Sequence, residues 1–281
     1  MSRKNKTYQT NRFLGKNKSV PQSSYAKYVG SPTLSEWVFP IYRGILEDCC
    51  FKMKDVGGTA FHIGRNLFAT ARHVLEQHEY YNHRKIGFPN QVEKGYVAVY
   101  EFEVVEEFEK IDMVILKCDE IMAPPLKPKA FHWAHHELKY FEIVRSMGYP
   151  KGYDIEKHFL DSRAFQGTKV GDKYYENEIL SARCYELSFH CLKGLSGACL
   201  FDSSYRIHGM ITGNSKQEGY VFKESEILHS GIKGTLRVDR AETMYIGLAV
   251  QKSEIFNTNS NYLGMTIHEY LISEKLHYCK C

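Results

Sequence analysis

At 281 residues, with 43% hydrophobic and 25% charged side chains, the chain is long enough to bury a sizeable core in one or two domains. No run approaches the roughly 18 apolar residues of a membrane span, so no membrane segment is expected. The net charge of +4 is unevenly placed: residues 1–35 hold seven basic side chains and no acid, while the rest has 30 basic against 33 acidic, which excludes a basic nucleic-acid-binding body.

In chain order, residues 1–33 are rich in Lys, Asn, Ser and Gln and read as a basic flexible arm, either a solvated tail or an electrostatic tether. The first residues carry no apolar region after their charges and do not read as a secretory signal, so a cytoplasmic protein with eight reduced cysteines is expected. Residues 34–123 form a first β-rich region. Its strands are expected at Val38–Leu46, Gly58–Ile63, Leu67–Ala71, Tyr96–Phe102 and Asp112–Lys117, with a short helical turn over Val74–Tyr81. Glu106 and Glu107 read as a solvated face. Residues 124–139 are a linker marked by Pro124, Pro125 and Pro128, which interrupt a sheet.

A second β-rich region covers 140–252, with strands at Phe141–Gly148, Phe159–Gln166, Glu178–Tyr185, Ala198–Asp202, Ile207–Thr212 and Tyr245–Val250. Between the last two, residues 214–240 form a long polar insertion. Residues 253–281 read as a C-terminal helix and tail, with Ser253 as N-cap and an Asn-rich stretch at 257–261 able to split it. No pair of cysteines has zinc-ligand spacing, and Cys279 and Cys281 read as a frayed end.

Three stretches carry chemistry. Gly194-Leu195-Ser196-Gly197-Ala198, followed by an apolar run, is a glycine turn that holds a serine hydroxyl exposed on rigid backbone. Thr70-Ala71-Arg72-His73 places a histidine where a strand ends, and Asp112 leads the buried-strand pattern Met113-Val114-Ile115-Leu116. A serine needs an imidazole to take its proton, and the imidazole needs a carboxylate to fix its tautomer. His62, His132, His135, His136 and His208 lack the setting of His73, and Asp119 and Asp161 are fallback candidates for the acid, neither leading a strand as well as Asp112. Ser196 as a plain turn serine is the simpler alternative.

The chain resembles the chymotrypsin-fold (trypsin-like) serine peptidases, nearer the bacterial HtrA-like branch than the digestive enzymes. The resemblance rests on Gly58–Phe61, Thr70–His73, Asp112–Lys117, Gly148-Tyr149-Pro150, Gly194–Phe201, Gly209–Gly213 and Ile246–Val250, in the chain order His, Asp, Ser. It implies an all-β fold of two six-stranded antiparallel Greek-key β-barrels with a C-terminal helix. It implies a catalytic His73, Asp112 and Ser196, an oxyanion hole from the Gly194 and Ser196 N–H groups, and support of Asp112 by Thr212. The substrate pocket would be walled by His190, Cys191, Lys193, Thr212, Gly213 and Asn214. No cofactor or metal is needed for such chemistry. Ala198 and Arg72 depart from the family pattern. So does Leu195, which stands where digestive enzymes carry an aspartate that pairs with a new N-terminus; activation of that kind is not expected.

The expected function is a serine endopeptidase that forms an acyl-enzyme and performs limited intracellular proteolysis on protein substrates, restrained by a regulatory protein partner or by the 214–240 segment. The alternative is a catalytically silent peptidase-fold binding module tethered by its basic arm. Nucleic acid is not expected as a partner.

Overall fold

The computed structural model describes residues 36–47, 50–76, 82–93, 96–119, 128–150, 153–154, 159–160, 162–229 and 232–277. The expected N-terminal arm, Asp161 and Pro124–Lys127 lie outside the described residues, as do Cys279 and Cys281.

The first sheet comprises β1 (Val38–Glu47), β2 (Cys50–Gly64), β3 (Leu67–Ala71), β4 (His83–Glu93), β5 (Tyr96–Tyr100), β6 (Glu103–Phe108) and β7 (Met113–Lys117). They run in the order β5-β4-β1-β2-β3-β7-β6. β1 and β3 are apolar along nearly their whole length and buried on both faces, as central strands of a curled sheet must be. Phe39, Phe61, Phe68, Ile41, Val114 and Leu116 fill the interior, with Phe39 and Phe68 meeting edge to face at 5.2 Å. The sheet has seven strands rather than six, because β4 and β6 add to the five strands that the sequence pattern marks. Of the helical turn expected over Val74–Tyr81, a 3-10 turn is seen at Arg72–Leu75, and residues 77–81 lie outside the described residues.

The second sheet contains β8 (His132–Trp133), β9 (Ile143–Gly148), β12 (Arg163–Glu176), β13 (Ser181–Leu187), β14 (Cys199–Asp202), β15 (Arg206–His229) and β16 (Ile232–Gln251). A small hairpin, β10 (Tyr153–Asp154) and β11 (Phe159–Leu160), stands between β9 and β12. The order β14-β9-β12-β13-β16-β15 is closed by pairing of β14 with β15, giving six strands in a ring, and β8 adds to β15 in parallel. Leu138, Val144, Tyr185, Leu187, Leu195, Leu200, Ile211 and Ala249 pack its interior. The architecture is therefore the expected two-barrel, all-β chymotrypsin-like fold. The 214–240 insertion is a continuation of β15 and β16, which pair with each other in unbroken register from Gly213↔Leu248 to His229↔Ile232.

The C-terminal segment is split at the Asn-rich stretch, as the sequence allowed, and only its N-cap differs. It forms α1 (Lys252–Phe256) and α2 (Ile267–Ser273), separated by a turn pairing β17 (Asn259–Ser260) with β18 (Met265–Thr266). Ser253 lies inside α1, whose N-cap is Gln251, and α2 is the helix with a side-chain cap: Thr266 and Glu269 form a capping box. Glu106 is not simply solvated: its carboxylate accepts from the Ser260 hydroxyl and from the Asn261 amide, fastening this turn to the first barrel. Arg65 reaches Glu274 at 2.8 Å, so α2 also docks on the β2–β3 hairpin.

Candidate active site

Asp112 follows the 3-10 turn Glu109–Ile111 in the left-handed region (φ 48°, ψ 42°), a conformation that Asp tolerates better than most residues. This turn swings its side chain back from the start of β7 into the interior, where it has no solvent exposure. A buried carboxylate is costly unless its oxygens are satisfied. Oδ2 accepts from His73 Nδ1 at 2.7 Å and from the Thr212 hydroxyl, and Oδ1 accepts from the His73 amide at 3.1 Å. The Arg72 amide donates to the Asp112 carbonyl at 2.9 Å, tying the two loops together through the main chain as well. His73 is thus held in one ring orientation with Nδ1 engaged. Its side chain remains 24% exposed, with Nε2 the nitrogen left for chemistry.

Ser196 comes from the loop between β13 and β14 and is partly buried. Gly197 has φ +83° and leaves no room for a side chain: a Cβ there would lie 2.2 Å from the Thr59 carbonyl and 2.7 Å from the Ala71 nitrogen. The residue after the serine is therefore pressed against the strand that ends two positions before His73. Gly58 does the same from the other side, where a Cβ would meet Val74 Cγ2 at 2.4 Å and the Ser196 carbonyl at 2.9 Å. The Ser196 carbonyl accepts from the Thr59 amide at 2.9 Å. The three predicted triad residues are brought to the junction of the two barrels, His73 and Asp112 from the first and Ser196 from the second.

Gly194 has φ +99°, and neither its amide nor that of Ser196 donates to a protein acceptor among the described residues. The Leu195, Gly197 and Ala198 amides are bonded to Leu192, Ile211 and Leu195 carbonyls, which rigidifies the loop around the two unused donors. Two N–H groups beside a serine can stabilise a developing oxyanion. Leu195 is fully buried and packs on Gly148, a position that would have no partner for a charged side chain.

The predicted pocket residues divide. Thr212 points to Asp112 rather than into a pocket. Asn214 exchanges two 2.7 Å hydrogen bonds with the Cys191 backbone, one each way, bracing the strands that flank the cleft. Cys191 is buried against Gly247, and burial pushes its thiol up to about 12, so it is a neutral wall atom. A side chain on Gly213 would meet nothing within 4 Å, leaving that edge open. His190 is exposed and packs edge to face on Tyr245, and Lys193 is exposed. The other histidines lie elsewhere: His62 sits in the β2–β3 hairpin, His132 and His135 near the C-terminal segment, and His208 in β15 beside the far part of β14, with the His136 ring against it. Asp119 is a surface partner of Asn66 and Lys117.

Sequence reasoning overlooked Thr59 and Thr70. Both are fully buried, and Thr59 Oγ1 donates to the Gly194 carbonyl at 2.8 Å while Thr70 Oγ1 donates to the Thr59 carbonyl at 2.7 Å. Together they rivet the serine loop to the first barrel. The available signal was two hydroxyls set among apolar neighbours, in Thr59-Ala60-Phe61 and Leu67–Ala71.

The sequence matches the trypsin-like peptidase domain family over residues 58–210. No curated protein matches it. Among solved structures, the Rv3671c protease from M. tuberculosis in its active form is similar at TM-score 0.52 and 16% identity, covering 88% of this chain and 91% of that one. The HtrA-type protease AlgW is similar at 0.51 and 15%, over 83% of this chain and 61% of that one. The MamO protease domain from Magnetospirillum magneticum gives 0.53 and 12%, over 79% and 95%. The matched span contains His73, Asp112 and Ser196, and the fold around them is the two-barrel fold of these proteases; the chain belongs to the trypsin-like peptidase domain family.

Proposed function

We propose that the protein is a serine endopeptidase in which Ser196 attacks the scissile carbonyl, His73 takes the hydroxyl proton and returns it to the leaving amine, and Asp112 orients His73. The observation that carries this reading is the 2.7 Å contact of His73 Nδ1 with a fully buried Asp112 whose oxygens are otherwise occupied by protein donors. Such an aspartate fixes the imidazole tautomer with Nε2 available as a base and stabilises the imidazolium once the proton moves. The Gly194 and Ser196 amides would receive the oxyanion; losing one such donor costs about 10²–10³ in rate. Membership of a peptidase family supports a protein substrate, and the open edge at Gly213 supports a cleft that accepts an extended chain.

The buried thiols Cys184, Cys191 and Cys199, outside any disulfide, suit a reducing compartment, so we assign this activity to the cytoplasm, acting on few proteins and restrained by a partner or by the β15–β16 ribbon. A fluorophosphonate probe tests the reading. Modification of Ser196 that disappears in His73→Ala supports the enzyme. Folded protein that is not modified, with or without protein substrate, overturns it in favour of a silent binding module.

A further inference from the structure

A second group of chemistry-bearing side chains lies at the other end of β14 from the serine loop. His136, Asp202 and His208 each bring one ligating atom within 4.8 Å of the others. His208 is fully buried and Asp202 is 6% exposed, whereas His136 closes the group from the solvent side. Glu142 stands outside this group and meets His136 Nε2 through Oε1 at 3.3 Å.

The spacing is informative. His208 Nε2 and Asp202 Oδ2 are also 3.3 Å apart. The His208–Asp202 spacing lies near the edge of a tetrahedron of nitrogen and oxygen ligands about 2.1 Å from a central ion, which is about 3.4 Å. His208 Nδ1 is a buried polar atom with no protein partner among the described residues. Asp202 Oδ1 is already fixed by the Ser204 amide at 2.7 Å and the Arg206 amide at 3.0 Å, which aims Oδ2 at the group. Lys252 Nζ holds the His136 carbonyl at 2.6 Å, positioning that residue from behind. A recess of ≈ 320 Å³ lined by His136, Lys139, Tyr140, Phe141 and Glu142 gives the group a route to solvent.

We propose that His136, Asp202 and His208 form a site for a divalent cation of the zinc class, with water completing the coordination. Two imidazoles and one carboxylate, without thiolate, suit zinc over calcium or magnesium. The ion fastens the β14–β15 turn to the segment that leads into β9. β14 follows Ser196 and β15 carries Thr212, so the clamp secures the hairpin whose near end meets the catalytic junction.

Chelator-stripped full-length protein, titrated with Zn²⁺ against a chromophoric competitor, tests this. One equivalent is expected to bind with micromolar affinity or tighter and to raise the melting temperature, and Co²⁺ in its place is expected to show the visible absorption of a tetrahedral site. His136 is solvent-facing, so His136→Ala retains the fold by circular dichroism while weakening Zn²⁺ binding at least as much as the about 10–100-fold caused by loss of an outer partner. Cys279→Ser with Cys281→Ser leaves the equivalent in place. Absence of a saturable equivalent in natively folded protein overturns the proposal. So does an affinity unchanged in His136→Ala, or an equivalent lost with the tail cysteines.

Discussion

Asp112 shows how much a single residue organises. Its carboxylate has no exposed atom and depends on the His73 amide, the His73 ring and the Thr212 hydroxyl for its charge to be tolerated. Asp112→Asn keeps the size but offers an NH₂ where an acceptor is needed, so the His73 ring loses its tautomer preference. The expected result is a fall of about 10⁴ in the rate of Ser196 acylation with little change in far-ultraviolet circular dichroism. Thr212→Val removes a hydrogen bond to a charged group, worth about 1.5–3 kcal/mol, and is expected to slow acylation by about 10–100-fold. A Thr212→Ser protein that recovers most of that rate identifies the hydroxyl, rather than packing, as the cause. The contact of His73 with Asp112 and the glycine turn at Ser196 were legible in the sequence because each residue sits in a short local pattern: strand end, strand start, glycine turn. Thr59 was not, because its role is fixed by Gly194, 135 residues away, and no local pattern announces a contact of that range.

The β2–β3 hairpin shows the same limit for an element. Its strands and its turn at Arg65, with φ +48°, follow from alternation and a Gly-Arg-Asn turn. What the sequence does not reveal is that His62 is a clamp inside it. Nε2 meets the Arg65 carbonyl at 2.7 Å, and Nδ1 is buried without a partner, so the ring must be neutral. Burial lowers its pKa from 6.5 to about 4, with the Arg65 carbonyl opposing. Above about pH 6.5 neither the folded nor the unfolded chain protonates this residue and the hairpin's stability is fully present. As pH falls from 6.5 toward 4 the unfolded state gains a proton that the folded state refuses, and stability drops by an amount on the order of 3 kcal/mol. His277, also lowered to about 4 with burial the largest cause, acts in the same window. Urea midpoints measured near pH 7 and near pH 4.5 are therefore expected to fall steeply in the native protein and by a smaller difference in His62→Gln. Equal differences in the two proteins would remove His62 as the acid-labile element. The C-terminal segment was legible only in part: Asn257–Asn261 marked a break, but docking of the broken piece onto Glu106 and Gly64 depends on surfaces from the opposite end of the chain.

At the scale of the molecule, one element extends beyond the strand pairing of the two sheets. β13 pairs with β16 only through Gly247, and β14 and β8 pair with β15 only up to Met210. From Ser215 to Ile246 the ladder runs between these two strands, as a ribbon next to the expected pocket residues Gly213 and Asn214, with Ser215 bonded to the Tyr175 side chain and Tyr245 packed on His190 at its base. The sequence marked this span as a polar insertion because it lacks the apolar alternation of a barrel strand, and that deficit fits a ribbon that contributes little to the barrel interior. The ribbon should then be dispensable for stability and consequential for access. Replacing residues 219–242 by an Asn-Gly turn joins Glu218 to Thr243, which are already cross-strand neighbours, so the register of the barrel is undisturbed. The shortened protein is expected to melt within a few degrees of the full chain, because the closed ring of six strands and its Leu187, Leu195, Leu200 and Ile211 core are untouched. If the ribbon restrains the cleft, the same protein labels faster at Ser196 with a bulky peptidyl phosphonate while its rate with a small fluorophosphonate stays unchanged, since only the bulky probe reaches past Gly213. Equal acceleration of both probes would locate the effect in the catalytic junction, and a slower bulky probe would make the ribbon part of the substrate-binding surface.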